Sequence, residues 1–386
     1  KMNIGIVTGE YPPMKGGVGD YRRTLALHLT ANSHKVQVIT DQRCIHPQNY
    51  VDEHNIIANV SRRWSWLDLW RIRKTTSDLD ILCIQYQAAA YGSMSLPIHF
   101  LPCITVPPTV VTFHDLKPPY LFPKAGRLRK QAVWQMARCS DGAITTNSED
   151  YHVCADKFQP PRLVEIPIGS NIPYSSTDTL SNINLRTKYG IGKEELVIGY
   201  FGLMNKSKGA KTLVQALAAL HSNDLPARLL LIGELTGSTD ATNSNYNIEI
   251  NDLAHDLGIE KHIVKTGYLD PSSTSAALLT CDLMVMPYID GASFRHGSLI
   301  ACLTHGCPTI TTNPKSGDKR LQHGTNIMLV PPKDPSSIVE AVIKLHENRT
   351  LRDKIGRAAT TLSKDFEWQN IANQTISFFT EVLTQH

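Results

Sequence analysis

Short apolar runs alternate with helix-length stretches along almost the whole chain, and the alternation starts over once. The first series runs through Asn3–Thr8, a helix from about Val18, Lys35–Thr40, Ile81–Ile84, Thr109–Thr112, Gly142–Thr145 and Leu163–Ile166. The second runs through Leu196–Phe201, Ala227–Ile232, Ile263–Gly267, Leu283–Pro287, Thr309–Thr311 and Ile327–Val330. Strands apolar on both faces belong in a parallel sheet that helices cover on either side, which confines the chain to α/β architectures. Between the two series, residues 169–195 open with Gly169-Ser170-Asn171-Ile172-Pro173 and are rich in Ser, Thr and Asn, so they read as a linker carrying a small helix. The closing stretches 334–347, 350–364 and 368–384 are amphipathic. The expectation is two doubly wound, Rossmann-like parallel-sheet domains at 1–170 and 196–367, a linker at 171–195, and a terminal helix in 368–386 that packs back on the first domain.

Charge and composition remove several classes of partner. The 39 Lys and Arg against 35 Asp and Glu leave a formal charge of +4, too mild for wholesale nucleic-acid binding. The surplus sits in residues 1–170, which carry nineteen basic and fourteen acidic residues. The eight cysteines are scattered without a C-x-x-C pair, which fits a reducing compartment, and Cys302 and Cys307 read as packing residues. No apolar run approaches the roughly 18 residues of a spanning helix, and the first residues read as a strand instead of a signal peptide, so a cytoplasmic protein is expected. Asp78-Leu79-Asp80 has the spacing of a metal-holding pair but precedes its strand, and the fifteen histidines form no H-E-x-x-H pattern, so no metal is expected.

In doubly wound sheets ligands bind beyond the carboxyl ends of the strands, and polar segments recur at those ends here. Glu10–Asp20, with Gly16 and Gly17, follows the first strand; its glycines allow close approach to a phosphate or sugar, though its spacing is not G-x-G-x-x-G and a plain turn is the competing account. His114 ends another strand, where it can hydrogen-bond a sugar hydroxyl or move a proton, or simply cap or pack. Gln85-Tyr86 and Asn147 also follow strands and suit contacts to an acceptor, or helix capping. In the second half, Gly202–Gly209 joins a strand to a helix and carries Asn205 and Lys208. The segment Asp290–Thr312 enters a buried helix through Arg295, His296, Gly297, Ser298 and Leu299; its polar first turn suits a phosphate, while Ser298 or Ser293 as a cap is the plainer reading. Two basic, small-residue helix starts on one cleft between facing domains suggest a diphosphate. Arg62–Lys74 mixes Trp with basic residues, as a membrane-surface helix does, and 117–130 adds five more basic residues. Leu67, Trp70 and Lys74 share one side just before a buried strand, however, so an ordinary packed helix is expected.

Taken jointly, the loop around Gly16-Gly17, Thr112-Phe113-His114-Asp115, Ile166-Pro167-Ile168-Gly169-Ser170-Asn171, Gly202–Gly209, Thr266-Gly267-Tyr268 and the helix ending His305-Gly306-Cys307-Pro308 resemble the GT-B fold glycosyltransferases, specifically glycosyltransferase family 4, over nearly the whole chain. The chain departs from the family pattern at Ser293 and Ala301, which occupy the positions of its two glutamates, the second of which holds the nucleotide ribose. Leu203 occupies the position of its arginine; its lysine matches Lys208. Arg295 is expected to supply the missing positive charge, and the segment is similar to a branch of the family that bears a Ser-x-Arg-x-Gly-Ser-Leu version of the motif.

The resemblance implies transfer of a sugar from a nucleoside diphosphate sugar to a carbohydrate, lipid-linked or small-molecule hydroxyl acceptor, with anomeric retention and with no metal or other cofactor. It assigns catalysis to His114, Lys208 and Arg295; donor binding to Gly16, Gly17, Asn205, Tyr268, Leu269, His296, Gly297, Ser298 and Leu299; and acceptor binding to Asp20, Gln85, Tyr86 and Asn147. No nucleic-acid partner is implied, and peripheral contact with the inner membrane surface through the basic first domain is carried as an addition. A nucleotide-sugar epimerase of the same architecture and a non-catalytic two-domain sugar-binding protein remain as alternatives.

Overall fold

The chain divides into two units, Lys1–Gly169 with Phe366–His386, and Ser170–Asp365. The computed structural model describes residues 1–12, 17–44, 55–91, 96–116, 126–176, 179–233 and 241–385. In the first unit the elements follow as β1 (Asn3–Thr8), α1 (Gly17–Ala31), β2 (Lys35–Asp41), β3 (Asn55–Val60), α2 (Trp66–Thr75), β4 (Ile81–Tyr86), β5 (Thr109–Phe113), α3 (Gly126–Cys139), β6 (Gly142–Thr145), α4 (Ser148–Val153) and β7 (Leu163–Glu165). The second unit continues with α5 (Thr179–Lys188), β8 (Leu196–Phe201), α6 (Ala210–Ser222), β9 (Ala227–Ile232), α7 (Ala241–Asp256), β10 (Ile263–Lys265), α8 (Pro271–Thr280), β11 (Leu283–Met286), α9 (Gly297–Thr304), β12 (Thr309–Thr312), β13 (Met328–Val330), α10 (Pro335–Glu347) and α11 (Arg349–Ser363). The last helix, α12 (Trp368–Thr384), belongs to the first unit again.

Both sheets are α/β and doubly wound. The first has seven strands in the order β3-β2-β1-β4-β5-β6-β7, the second six in the order β10-β9-β8-β11-β12-β13, and the named pairs are parallel. In each sheet the chain winds outward from one central strand and then returns to that strand's other side. This puts the change of winding between β1 and β4 in one unit and between β8 and β11 in the other. A crevice opens at such a point because the two flanking connections leave over opposite faces.

Alternate residues of the first sheet feed two cores. Ile4 and Ile6 of β1 pack with Tyr21, Leu25 and Leu29 of α1 and with Ile371, Phe378, Phe379 and Val382 of α12. Val7 packs with Leu69 and Ile72 of α2 and with Val133 and Met136 of α3 on the other face. The segment 171–195 packs on the second unit. Arg186 of α5 pairs with Asp282 at 2.7 Å, whose carboxylate also accepts from the Val197 amide at 2.7 Å. The Ser175 amide donates to Ser275 Oγ at 2.9 Å.

Two details differ from expectation. Strand β3 was not foreseen; NIIANV is short and half polar or small, the composition of an edge strand. Helix α2 also turns the opposite way to the packed face expected of Leu67, Trp70 and Lys74. It buries Asp68, Leu69 and Ile72, whereas Trp66, Leu67 and Trp70 are 53%, 71% and 63% exposed. Asp68 fixes this rotation by accepting from the Ser61 and Ser65 amides at 3.1 and 2.8 Å, and Ile72 and Leu69 then face the core.

Candidate active site

In the second unit, the connections after β8 and β11 are clamped together at the winding change. The Ile289 amide donates to the Ser207 carbonyl at 2.8 Å. Gly209 holds φ +74°, and a Cβ there would overlap the Pro287 carbonyl oxygen, so only glycine closes the turn this tightly. Asn205 caps the 3-10 turn Lys206–Lys208, its Oδ1 accepting from the Lys208 amide at 3.2 Å and from Ser207 Oγ at 2.7 Å. Lys208 is thereby pinned instead of waving in solvent.

Tyr288, 1% exposed, organises the rest. Lys208 Nζ lies 4.8 Å from its ring centroid, the His296 ring stacks on it at 4.0 Å and 24°, and its hydroxyl meets Ser298 Oγ at 2.9 Å. Burial pushes the Lys208 ammonium down to about 8, and Arg295 adds to the fall while Asp290 opposes it. Burial, then Lys208 and Arg295, push His296 down to about 3, so this imidazole is neutral at pH 7, and its Nδ1 is buried with no hydrogen-bond partner among the described residues. The electrostatic consequence is a group of positive character around Tyr288, and an anion there would relieve the shifts of both Lys208 and His296.

The start of α9 faces this group. His296 occupies the cap position, but no side chain caps the helix. Ser293 accepts from the Arg295 amide at 3.4 Å and Ser298 is engaged with Tyr288, so the plain capping reading of either serine does not describe the first turn. The Leu299 amide donates to the His296 carbonyl at 2.9 Å and its side chain is buried; a donor contact from that amide, as expected from sequence, is therefore corrected. The amides of Gly297 and Ser298 have no acceptor among the described residues, and together with the helix dipole they present positive potential. Arg295 is exposed beside them. Tyr268, 71% exposed, and Leu269 follow β10, two strands away from β8, where Gly267 bridges to Gly233. Ala301, at the position of the family's second glutamate, is buried.

In the first unit, polar groups gather beyond β1, β4 and β5. His114 Nε2 lies 2.8 Å from Gln85 Oε1, and Gln85 Nε2 is directed to Thr112 Oγ1 at 3.3 Å and Cys83 Sγ at 3.1 Å. The amide oxygen thus faces His114, Nε2 carries the ring proton, and Nδ1 is left as an acceptor. Burial, and secondarily Arg22, hold His114 well below the ordinary histidine range. Arg22 is fully buried and donates to the Glu10 and Gln85 carbonyls at 3.1 and 3.3 Å.

Three of the expected acceptor residues are committed inside the protein. Gln85 and Tyr86 are fully buried, and Tyr86 Oη meets His99 Nε2 at 3.0 Å. Asn147 caps α4 by accepting from the Asp150 amide at 2.9 Å. Direct acceptor contact by these three is therefore corrected to support of their neighbours. Gly17 is the first residue of α1 and Asp20 lies within that helix, while Gly16 and the Asp20 side chain lie outside the described residues. Sequence reasoning missed Tyr288 and Arg22. The signal for Arg22 was its spacing, since with Leu25, Ala26 and Leu29 it falls on the apolar stripe of α1. Asp80 accepts from the Asn3 amide at 2.6 Å ahead of β4, and among the described residues no cluster of His, Cys, Asp or Glu is placed to hold a metal ion.

Comparison with known proteins places this geometry in context. Residues 181–362 match the family model for glycosyl transferases group 1, and residues 15–171 that for glycosyltransferase family 4. The chain is 22% identical over 405 residues to an uncharacterized glycosyltransferase of Methanocaldococcus jannaschii, with 98% of each covered. It is 26% identical over 222 residues to the phosphatidyl-myo-inositol mannosyltransferase of Mycobacterium leprae, covering 57% of this chain and 54% of that relative. Among solved structures, a glycosyltransferase from Rickettsia africae superposes with a TM-score of 0.78 at 16% identity, with 100% of each chain covered. The Anabaena HepE protein, solved in complex with UDP and glucose, superposes at 0.77 and 16%, covering 99% of this chain and 100% of the other.

Proposed function

The chain belongs to the GT-B glycosyltransferases of the family 4 type, and we propose that it moves a sugar from a nucleoside diphosphate sugar to a hydroxyl acceptor, with anomeric retention and without metal or other cofactor. The observation that carries this reading is the pinned, partly desolvated Lys208 beside an uncapped helix start, joined through Tyr288. As the bond from the anomeric carbon to the diphosphate breaks, negative charge grows on the departing oxygens. Lys208, Arg295 and the amides of Gly297 and Ser298 would meet that charge, and Lys208 would do so with little reorganisation because its turn is held beforehand. In this reading the chain's own cations take the part that a metal ion would otherwise play.

Asn205 and His296 hold the Lys208 turn and the Tyr288 ring, Tyr268 and Leu269 take the base, and Gly16 and Gly17 approach the donor. His114 accepts from a hydroxyl of the transferred sugar through Nδ1, with Gln85 and Tyr86 as positioning residues. Asp20 serves the acceptor. Incubation with a panel of uridine, guanosine and adenosine diphosphate sugars, read by mass spectrometry with and without added chelator, tests the proposal. Chelator-insensitive release of nucleoside diphosphate that falls about 100-fold or more in Lys208→Gln and Arg295→Gln is expected. Full activity in both variants, or a product epimerised without acceptor, refutes it.

The exposed face of α2 favours one addition. Among the described residues no helix is long and apolar enough to cross a membrane. Trp66, Leu67 and Trp70 nevertheless stand out from the surface beside exposed Arg62, Arg63, Arg71 and Lys74, and the one acid of the helix, Asp68, is buried. Aromatic side chains ringed by cations match the interface of an anionic bilayer, and this docking would bring a lipid-linked acceptor to the enzyme. Sedimentation with phosphatidylcholine vesicles containing phosphatidylglycerol, compared with phosphatidylcholine alone, tests it. Trp66→Ser/Trp70→Ser should lose about tenfold or more of the binding; equal binding by the variant rules the face out.

A further inference from the structure

A pocket of ≈ 390 Å³ in the second unit shares no lining residue with the Lys208–Tyr288–Ser298 group. Lys206, Lys211 and Lys333 converge on it, with Thr212, Gln215, Tyr246, Ile289 and a single acid, Glu249. None of the three ammonium groups meets a carboxylate or a hydrogen-bond acceptor among the described residues. The neighbouring acids are engaged elsewhere. Asp290 faces Lys315 at 3.8 Å, and Asp334 caps α10 by accepting from the Ser337 amide at 3.1 Å and Ser337 Oγ at 2.7 Å. Three cations against one acid, in a concavity, repel one another until an anion enters.

Two further features give the pocket form. Lys333 stands at φ +60°, a backbone conformation that L side chains rarely adopt, between Pro332 and Asp334-Pro335; a glycine would relieve it, yet the position holds a cation aimed at the pocket. Tyr246 is buried, and its hydroxyl oxygen accepts from the Lys211 amide at 3.3 Å, which leaves its proton to donate. Burial raises the Tyr246 phenol, so that proton stays in place. The Tyr246 ring and Ile289 add an apolar wall suited to a carbon skeleton. The volume lies near the lower end of small-molecule sites.

We propose that this pocket is a second anion site, distinct from that of the donor diphosphate, which takes a small phosphate monoester. It is wired to the first. Lys206 shares the capped turn of Lys208, and Ile289 bonds that turn while adjoining Tyr288. Titration calorimetry at fixed ionic strength, with glucose 6-phosphate and separately with inorganic phosphate, tests the assignment in the full chain. Saturable binding of glucose 6-phosphate is expected, weaker by about tenfold or more in Lys333→Gln and Lys211→Gln and unchanged in Lys208→Gln. An unchanged midpoint of urea denaturation in the Lys333 and Lys211 variants checks that they fold. No saturable binding, or binding lost in Lys208→Gln but kept in Lys333→Gln, overturns the second site. Inorganic phosphate binding as tightly as the ester overturns the monoester assignment.

Discussion

The most searching prediction concerns Lys208 and pH. In the free protein its ammonium is pushed down to about 8 from an ordinary 10.5, chiefly by burial. A diphosphate in contact raises it again, because opposite charge favours the protonated form. Affinity for the diphosphate is therefore flat below pH 8 and weakens as pH rises above it, by up to tenfold per pH unit, until the pKa of the complex is reached. If the ligand merely restores 10.5, the total loss is roughly 300-fold, about 3 kcal/mol. The assay is calorimetric titration, at pH 7.0 to 9.5, of whichever of UDP, GDP and ADP the protein binds, into the protein and into Lys208→Gln. The ratio of the two affinities cancels the titration of the nucleotide itself. That ratio should be largest at pH 7 and fall above pH 8. A ratio that stays flat across the range would show that residue 208 does not touch the diphosphate, and the leaving-group assignment would go with it.

Two other perturbations follow from the geometry. Because His114 is held well below the ordinary histidine range, the acid limb of kcat/KM should show no protonation step near pH 6.5, whereas Gln85→Leu, which removes the partner of Nε2, should lower kcat without moving the donor KM; an acid limb near pH 6.5 that vanishes in His114→Asn contradicts the neutral assignment. Phe379→Ala, in the core that α12 shares with α1 and β1, should destabilise the first unit by about 3–5 kcal/mol, read by urea denaturation, and a loss below about 1 kcal/mol would mean α12 is not integral to that core.

How much of this was legible in sequence depends on how each residue encodes its surroundings. A strand such as LVIGYF is apolar throughout, as strands covered on both faces are, and the regular alternation of such runs with helix-length stretches let the two series be read directly. NIIANV carries too little apolar signal to stand out and was lost. Helix α2 has two apolar stripes, Leu69-Ile72 and Trp66-Leu67-Trp70, and periodicity alone does not say which packs; the decision lies with Asp68, whose partners Ser61 and Ser65 come from the preceding turn. At the candidate site the pattern of small and basic residues located Lys208 and the α9 start, but Tyr288, which joins them, looks like one more residue at the end of an apolar strand. The commitment of the Leu299 amide is a matter of hydrogen-bond geometry in one helical turn, below what residue types specify.

The return of α12 to the first unit has a consequence for biogenesis. Residues 170–365 form an uninterrupted stretch and can close their own core as soon as they leave the ribosome, while the sheet face over Ile4 and Ile6 waits for residues 366–386. The portion translated first is thus the one completed last, and during that interval it displays an apolar surface that a chaperone, or another nascent chain, can reach.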